Sequence, residues 1–271
     1  MNYRCPLCQQ TLSLQDRSFR CDNNHCFDIA KEGYVNLLPV QNKKSKSPGD
    51  SPAMMQSRRR FLQSGFYQNF AGAQQELLKK HRSEKINRII DIGCGEAYYL
   101  EQLQNTFTDA SLHGIDIAKS GARLSAKQLP NAHISVASAY SLPYFDNDFD
   151  IALSVFSPLD EQECARILKT NGLLLTAGPG PLHLKQLAAQ VYNTVQEHKG
   201  MGLALNDTFE LLEQKQIGYK ISVNGEQALD LLTMTPYYWS CSEEKKQALL
   251  KKQNLEITLD FDLNLYKPRT D

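Results

Sequence analysis

A β-branched run that breaks into Gly-x-Gly constrains this chain more than any other feature. In residues 89–100, IIDIGCGEAYYL, the isoleucines Ile89, Ile90 and Ile92 suit a strand buried on both faces. Gly93 and Gly95 permit a tight turn whose backbone can approach a ligand closely. Tyr98, Tyr99 and Leu100 then begin a helix. The expected unit is strand, loop and helix, the arrangement that places a nucleotide at a helix N-terminus.

Two ligand classes use such a loop. A dinucleotide fingerprint requires G-x-G-x-x-G, its last glycine bringing the helix close to the strand, and that position is Tyr98 here. The next strand, residues 111–117 (SLHGIDI), brings Asp116 to a point about twenty residues past the glycines, where a carboxylate can accept both hydroxyls of a ribose. The pattern hhDhGxGxG followed by an acidic residue ending strand two resembles that of class I S-adenosylmethionine-dependent methyltransferases. Ala97 stands at the third glycine of that pattern.

Further strands are expected at residues 133–137 and 149–155, with a turn at 146–148 between them. A helix over 161–168 leads through Gly172 as a stop into an apolar strand over 173–177. A helical stretch follows from 182 to about 198. Residues 217–223 then alternate, and Leu255, Ile257, Leu259, Phe261, Leu263 and Leu265 occupy every second position, as in a strand with one buried face. The expected fold class is α/β, a class I (Rossmann-like) seven-stranded methyltransferase domain with a small N-terminal zinc-ribbon-like module. The resemblance implies that its last strand runs antiparallel to the rest.

The module rests on Cys5, Cys8, Cys21 and His25, spaced C-x2-C-x12-C-x3-H. Three thiolates and an imidazole close a tetrahedral zinc shell with no open position, so this zinc is expected to be structural, one per chain. About thirty residues cannot build a sufficient apolar core, and metal ligation supplies the missing folding free energy. Cys26, next to His25, is an alternative fourth ligand. Cys94, Cys164 and Cys241 are read as small turn or core residues.

The 271 residues carry no net charge, yet residues 1–90 hold fifteen Lys and Arg against seven Asp and Glu, and the remainder fifteen against twenty-three. Lys43, Lys44, Lys46, Arg58, Arg59 and Arg60 face only Asp50 within eighteen residues. With the Ser, Pro and Gly between them they read as a mobile basic linker suited to a phosphate backbone, or as a solvated hinge, with a helix packed against the domain as the alternative for Arg58, Arg59 and Arg60. No apolar run approaches the roughly 20 residues of a membrane span, and the start lacks a signal peptide's apolar core. A cytoplasmic protein whose cysteines remain thiols is expected.

CPLC, Cys21 with His25, FDIAKEGYVNLLP, PGDSPAMMQSRRRFLQSGFY, DIGCGEAYY and PGPLHL together closely resemble the bacterial 23S rRNA (guanine-N1)-methyltransferases over nearly the whole chain. The resemblance implies methyl transfer from S-adenosylmethionine to N1 of a guanine in a 23S rRNA hairpin, with no membrane or DNA partner, and it allows a homodimer. It implies three segments: a zinc-binding RNA-recognition module over 1–36, a basic linker and helix over 37–85, and the methyltransferase domain over 86–271. Asp91, Gly93, Gly95 and Asp116 are the expected cofactor residues, and the resemblance adds Tyr67, Tyr99, Leu100 and His183. Taken alone, Tyr67 can be read as a buried aromatic of a linker helix, and His183 reads as a helix-start histidine packed on strand five.

Guanine N1 carries a proton at neutral pH, so a general base is expected near it. Asp160 and Glu161, after strand four, are candidates, although a carboxylate at a helix N-terminus is the simpler reading of each. Tyr237, Tyr238 and Trp239 are read as a base-stacking surface or a packing cluster. A class I methyltransferase of a small molecule and a non-catalytic ribosome-assembly factor that binds RNA are the competing functions.

Overall fold

The computed structural model describes residues 3–42, 48–82, 85–192, 205 and 207–269. Strands β1 (Tyr3–Arg4), β2 (Thr11–Gln15), β3 (Ser18–Arg20) and β4 (Cys26–Asp28) form a four-stranded antiparallel sheet, followed by β5 (Val35–Asn36). Helices α1 (Pro52–Gln63) and α2 (Gln68–His81) lead into β6 (Arg88–Ile92), α3 (Tyr98–Gln104), β7 (Ser111–Asp116), α4 (Lys119–Gln128) and β8 (His133–Val136). Next come β9 (Phe149–Val155), α5 (Glu161–Ile167), β10 (Leu168–Pro179), α6 (Lys185–Val191) and β11 (Phe209–Val223). The described chain closes with α7 (Gly225–Thr233), a 3-10 turn over Pro236–Ser240, α8 (Glu243–Leu250) and β12 (Leu255–Pro268).

The large sheet has the order β11-β12-β10-β9-β6-β7-β8-β5. Its strands from β10 to β5 pair in parallel, whereas β12 pairs antiparallel with both β10 and β11. Strand order reverses between β6 and β9, and in an open α/β sheet the crevice beyond the strand ends at that reversal receives the ligand. Helices cover both faces, which explains the near-continuous burial of β6, β7 and β9.

Several expectations need correction. β10 begins at Leu168, where the sequence predicts the end of a helix, and Gly172 lies inside the strand at a register shift between Leu168 and Leu173. α6 spans only Lys185–Val191, and the expected continuation from 193 to 198 lies outside the described residues. The sheet has an eighth strand, because β5 pairs in parallel with β8. A two-residue strand leaves no periodic signal.

That pairing ties the N-terminal module to the large domain, so the boundary expected at residue 36 is bridged by sheet hydrogen bonds. Arg4 N donates to Pro143 O at 3.0 Å. Tyr3, 1% exposed, meets Phe19 edge-on at 4.9 Å and Tyr144 at 5.6 Å. Tyr3, Leu12 and Phe19 share one apolar cluster with Ile90, Ile92, Tyr144 and Phe149 of the large domain.

The linker also differs. Ser51 Oγ accepts Met54 N at 3.3 Å and Pro52 takes the first helical turn, so residues 52–63 are a capped helix. Its arginines are paired rather than free. Arg58 meets Asp50 at 2.6 Å, Arg59 donates to Gln128 Oε1 at 2.8 Å, and Arg60 grips Asp230 of α7 through Nε at 2.9 Å. Lys43, Lys44 and Lys46 lie outside the described residues.

Candidate cofactor and substrate site

The loop after β6 has the left-handed backbone the glycines foretell: φ is +80° at Gly93 and +55° at Gly95. Ala97 also stands at +69°, fully buried, so the position where the pattern prefers glycine carries an alanine in a conformation that costs about 1–2 kcal/mol. The loop is held by Asp116, whose Oδ2 accepts Gly95 N at 2.8 Å and whose Oδ1 accepts Ala118 N at 2.7 Å. Burial pushes the Asp116 carboxyl up to about 6, against the lowering effect of those amides.

Asp91 is 1% exposed, and its Oδ2 has no hydrogen-bond partner among the described residues. Desolvation, with the neighbouring Asp116 charge second, raises it to about 7. Glu96, 3% exposed, is likewise raised by burial to about 7, offset in part by Arg59 at 3.9 Å.

Two cavities meet here. The first lies over the loop and is lined by Gly93, Gly95 and Asp116 with Ser138, Tyr140 and Ser157. The second is walled by the aromatic residues Tyr67, Tyr99, Phe156, His183, Tyr237 and Trp239. Asp50, Arg58, Leu62, Tyr99 and Phe156 belong to both walls.

The structure thus gathers most of the expected site residues. Tyr67 is buried among Phe61, Phe70 and Phe261, and burial raises its phenol. His183 stacks obliquely on Phe261 at 4.8 Å, and its Nδ1 accepts Asp260 N at 3.2 Å. A ring nitrogen that accepts a backbone amide carries no proton, so the neutral ring bears its hydrogen on Nε2. Leu100 is fully buried in α3 and lines neither cavity.

Asp160 caps α5, its Oδ1 accepting Glu163 N at 3.0 Å. Neither it nor Glu161 lines either cavity. Tyr237 and Trp239 do line the aromatic cavity, Trp239 being 71% exposed. Tyr238 instead receives the Lys246 ammonium at 4.0 Å from its ring.

Sequence reasoning missed Asp260. Its Oδ2 accepts Leu182 N and its Oδ1 accepts Gln216 Nε2, both at 2.9 Å, which pins the PGPLHL loop beside His183. Period-two reading places residue 260 on the face opposite the apolar stripe, and its burial follows only from the coverage of that face by the loop. Asp50 and Arg58, which the sequence presents as linker charges, also belong to the site.

In the N-terminal module the Cys5, Cys8 and Cys21 sulfurs and a His25 nitrogen all lie within 4.8 Å of one another. Nδ1 of His25 is 3.5 Å from Cys5 Sγ and 3.4 Å from Cys21 Sγ, and the Cys8 and Cys21 sulfurs are 3.6 Å apart. A tetrahedral zinc with bonds of about 2.0–2.3 Å has edges near these lengths. Cys26 is exposed, with its thiol 3.9 Å from Asp28 Oδ1, outside the cluster.

Residues 3–46 match a family described as RlmA, N-terminal, a zinc ribbon, and residues 89–172 match a methyltransferase domain. A Streptomyces fradiae 23S rRNA (guanine(748)-N(1))-methyltransferase is 32% identical across 98% of this chain and 96% of that protein. YxjB of Bacillus subtilis (strain 168), named for the same guanine-N1 activity on 23S rRNA, is 28% identical across 96% and 95%. Among solved structures, a chain from a Haloferax volcanii complex of the Trm112 activator with a methyltransferase superposes with a TM-score of 0.52 at 16% identity. It covers 83% of this chain and all of that one, a likeness of fold. The relationship runs nearly the length of both sequences, spanning the N-terminal module as well as the methyltransferase domain, and this chain belongs to the 23S rRNA (guanine-N1)-methyltransferase family.

Proposed function

We propose that this chain methylates N1 of one guanine in a hairpin of 23S rRNA, with the cofactor in the glycine-loop cleft and the target base in the aromatic cavity. The observation that carries this reading is the junction of the two cavities along a common wall. Guanine inside a helix hides N1 in its base pair, so the base must leave the stack, and an aromatic cavity repays part of the unstacking.

S-adenosylmethionine, when bound, supplies a methyl group activated on a sulfonium. The residues present fit it: Asp116 lines the cleft beside the glycine loop, and Asp91, which lines neither cavity, keeps a buried Oδ2 with no hydrogen-bond partner among the described residues, burial disfavouring the charged form of both carboxyls. Asp116 would take the ribose, Gly93 and Gly95 would admit the cofactor close to the backbone, and Tyr67, Tyr99 and His183 would frame its remaining part, with Leu100, whose side chain lines neither cavity, contributing only backbone. The zinc is structural. Cys5, Cys8, Cys21 and His25 would hold it, closing a shell that has no place for substrate.

Mapping modified nucleosides in rRNA from cells with and without the protein tests the function. One N1-methylguanosine in 23S rRNA should disappear in its absence. An unchanged map would instead favour a small-molecule methyltransferase or an assembly factor.

Asp116→Ala should weaken S-adenosylmethionine binding by about 1.5–3 kcal/mol, the range of a charge-assisted hydrogen bond. The loop should loosen as well, since the Gly95 and Ala118 amides lose their acceptor. Calorimetry that finds wild-type affinity removes Asp116 from the ribose.

The basic linker divides into two predictions. Replacing Lys43, Lys44 and Lys46 by Gln should flatten the salt dependence of RNA affinity by up to about 0.7–0.9 log units for each phosphate no longer neutralised, without altering cofactor affinity. Arg60→Gln should leave that slope unchanged, because Asp230 already holds the guanidinium.

A further inference from the structure

We infer that Asp50 is the carboxylate that receives the guanine N1 proton, with Arg58 as the residue that orients it. This role rests on the N1-methylation reading above. The proton must be removed where the cofactor cleft and the base cavity meet, so the acceptor has to belong to both.

Among the described residues, three acids line the cofactor cleft: Asp50, Glu96 and Asp116. Only Asp50 also lines the aromatic cavity. Asp116 lines only the cofactor cleft, where its oxygens hold the amides of Gly95 and Ala118 and, on the reading above, the ribose. Glu96 is confined to the cofactor side, where Arg59 is its ionic partner.

Asp50 is also firmly placed by its surroundings. At Gly49, with φ +80°, a Cβ would lie 2.8 Å from the Ala118 Cβ, so glycine lets the segment settle against the end of β7. Ser120 Oγ donates to the Asp50 carbonyl at 3.1 Å and pins the backbone. Arg58 Nη2 holds Asp50 Oδ2 at 2.6 Å and donates to Met234 O, on the wall of the aromatic cavity, at 3.3 Å. The second carboxylate oxygen accepts no hydrogen bond among the described residues, and the side chain keeps 28% exposure. One oxygen is therefore anchored and the other is available at the junction.

The step balances. As N1 forms its bond to the methyl carbon, the carbon–sulfur bond breaks and its electron pair stays on sulfur. The N1 proton passes to the free oxygen of Asp50, leaving neutral N1-methylguanine, neutral S-adenosylhomocysteine and a protonated carboxyl that returns its proton to solvent after release. No further reactant is needed.

The test uses full-length wild type and Asp50→Asn with an in vitro transcript of 23S rRNA. Cofactor affinity by calorimetry and RNA affinity by filter binding should each stay within about threefold of wild type, showing that the variant folds and binds. Its single-turnover methylation rate at neutral pH should fall by about 100- to 10,000-fold, the usual contribution of a positioned base. That residual rate should climb about tenfold per pH unit, because only guanine already deprotonated in solution can react, whereas wild type is flatter. Arg58→Lys should give an intermediate rate with both affinities retained.

A variant that loses cofactor affinity tenfold but reacts normally at saturation makes Asp50 a cofactor ligand and overturns the proposal. So does a slower variant whose pH profile runs parallel to wild type, since a misplaced base cavity would produce that. If wild type itself forms no N1-methylguanosine in the transcript, the underlying substrate reading fails and this role falls with it. A normal wild type beside an unimpaired Asp50→Asn refutes the Asp50 role alone.

Discussion

Cys21→Ser is expected to release the zinc and unfold residues 3–28 while the large domain stays folded. Zinc contributes roughly 10–16 kcal/mol of apparent binding free energy in small zinc-finger peptides, more than a sheet of four strands of two to five residues can replace. Elemental analysis should give one zinc per wild-type chain and almost none in the variant. Amide exchange in the four small strands should lose its protection. The large domain should also weaken, because Tyr3, Leu12 and Phe19 would leave the cluster they share with Tyr144 and Phe149, at about 1.5–3 kcal/mol for each side chain fully exposed. Below the lowered melting temperature, cofactor affinity should be close to wild type. Metal-replete wild-type protein without zinc would sink the site, as would protected amides in the variant.

Gly93→Ala carries the second large effect, on both stability and cofactor binding. A methyl there meets the Ser157 Cβ at 2.4 Å and its Oγ at 2.6 Å, and φ is +80°. Ser157 cannot step aside easily, since its hydroxyl donates to Ile92 O and lies 3.1 Å from the Ser154 hydroxyl. Left-handed backbone costs an alanine about 1–2 kcal/mol and overpacking about 1–3 more, a total near 2–5 kcal/mol. Gly65→Ala is the control: φ is +86°, yet nothing lies within 4 Å of the added methyl, so only the backbone part applies. Urea unfolding of the two variants separates the contributions. Equal losses would mean that the loop does not approach Ser157 as described.

The parts of this fold visible in the sequence are those whose signal is local. β9 begins and ends where its apolar run does, at Phe149 and Val155, and the alternation from Leu255 marks β12, which extends to Pro268. The Cys and His spacing places four ligand atoms together because each pair sits in its own short turn. What stayed hidden depends on partners distant in the chain. Arg58, Arg59 and Arg60 look like free charge until Asp50, Gln128 and Asp230 are brought to them. The aromatic cavity draws on Tyr67, Tyr99, Phe156, His183 and Trp239, five segments that no window joins. Asp50 stands in plain view within PGD, and only the shared wall of the two cavities gives it a chemical meaning.

Shared packing between the zinc module and the large domain has a consequence for biosynthesis. Tyr3 leaves the ribosome ahead of the ring it packs against, Tyr144, which follows about 140 residues later, a delay of roughly 7–30 s at ordinary elongation rates. Through that interval the apolar side chains of the module have no lasting cover, and metal captured by the first 25 residues is what can keep them ordered. A nascent chain that finds zinc offers β5 and the Tyr3 surface as a preformed edge for β8 and Tyr144 to join. One that does not must assemble both parts at once, with those side chains exposed to every neighbour in the meantime.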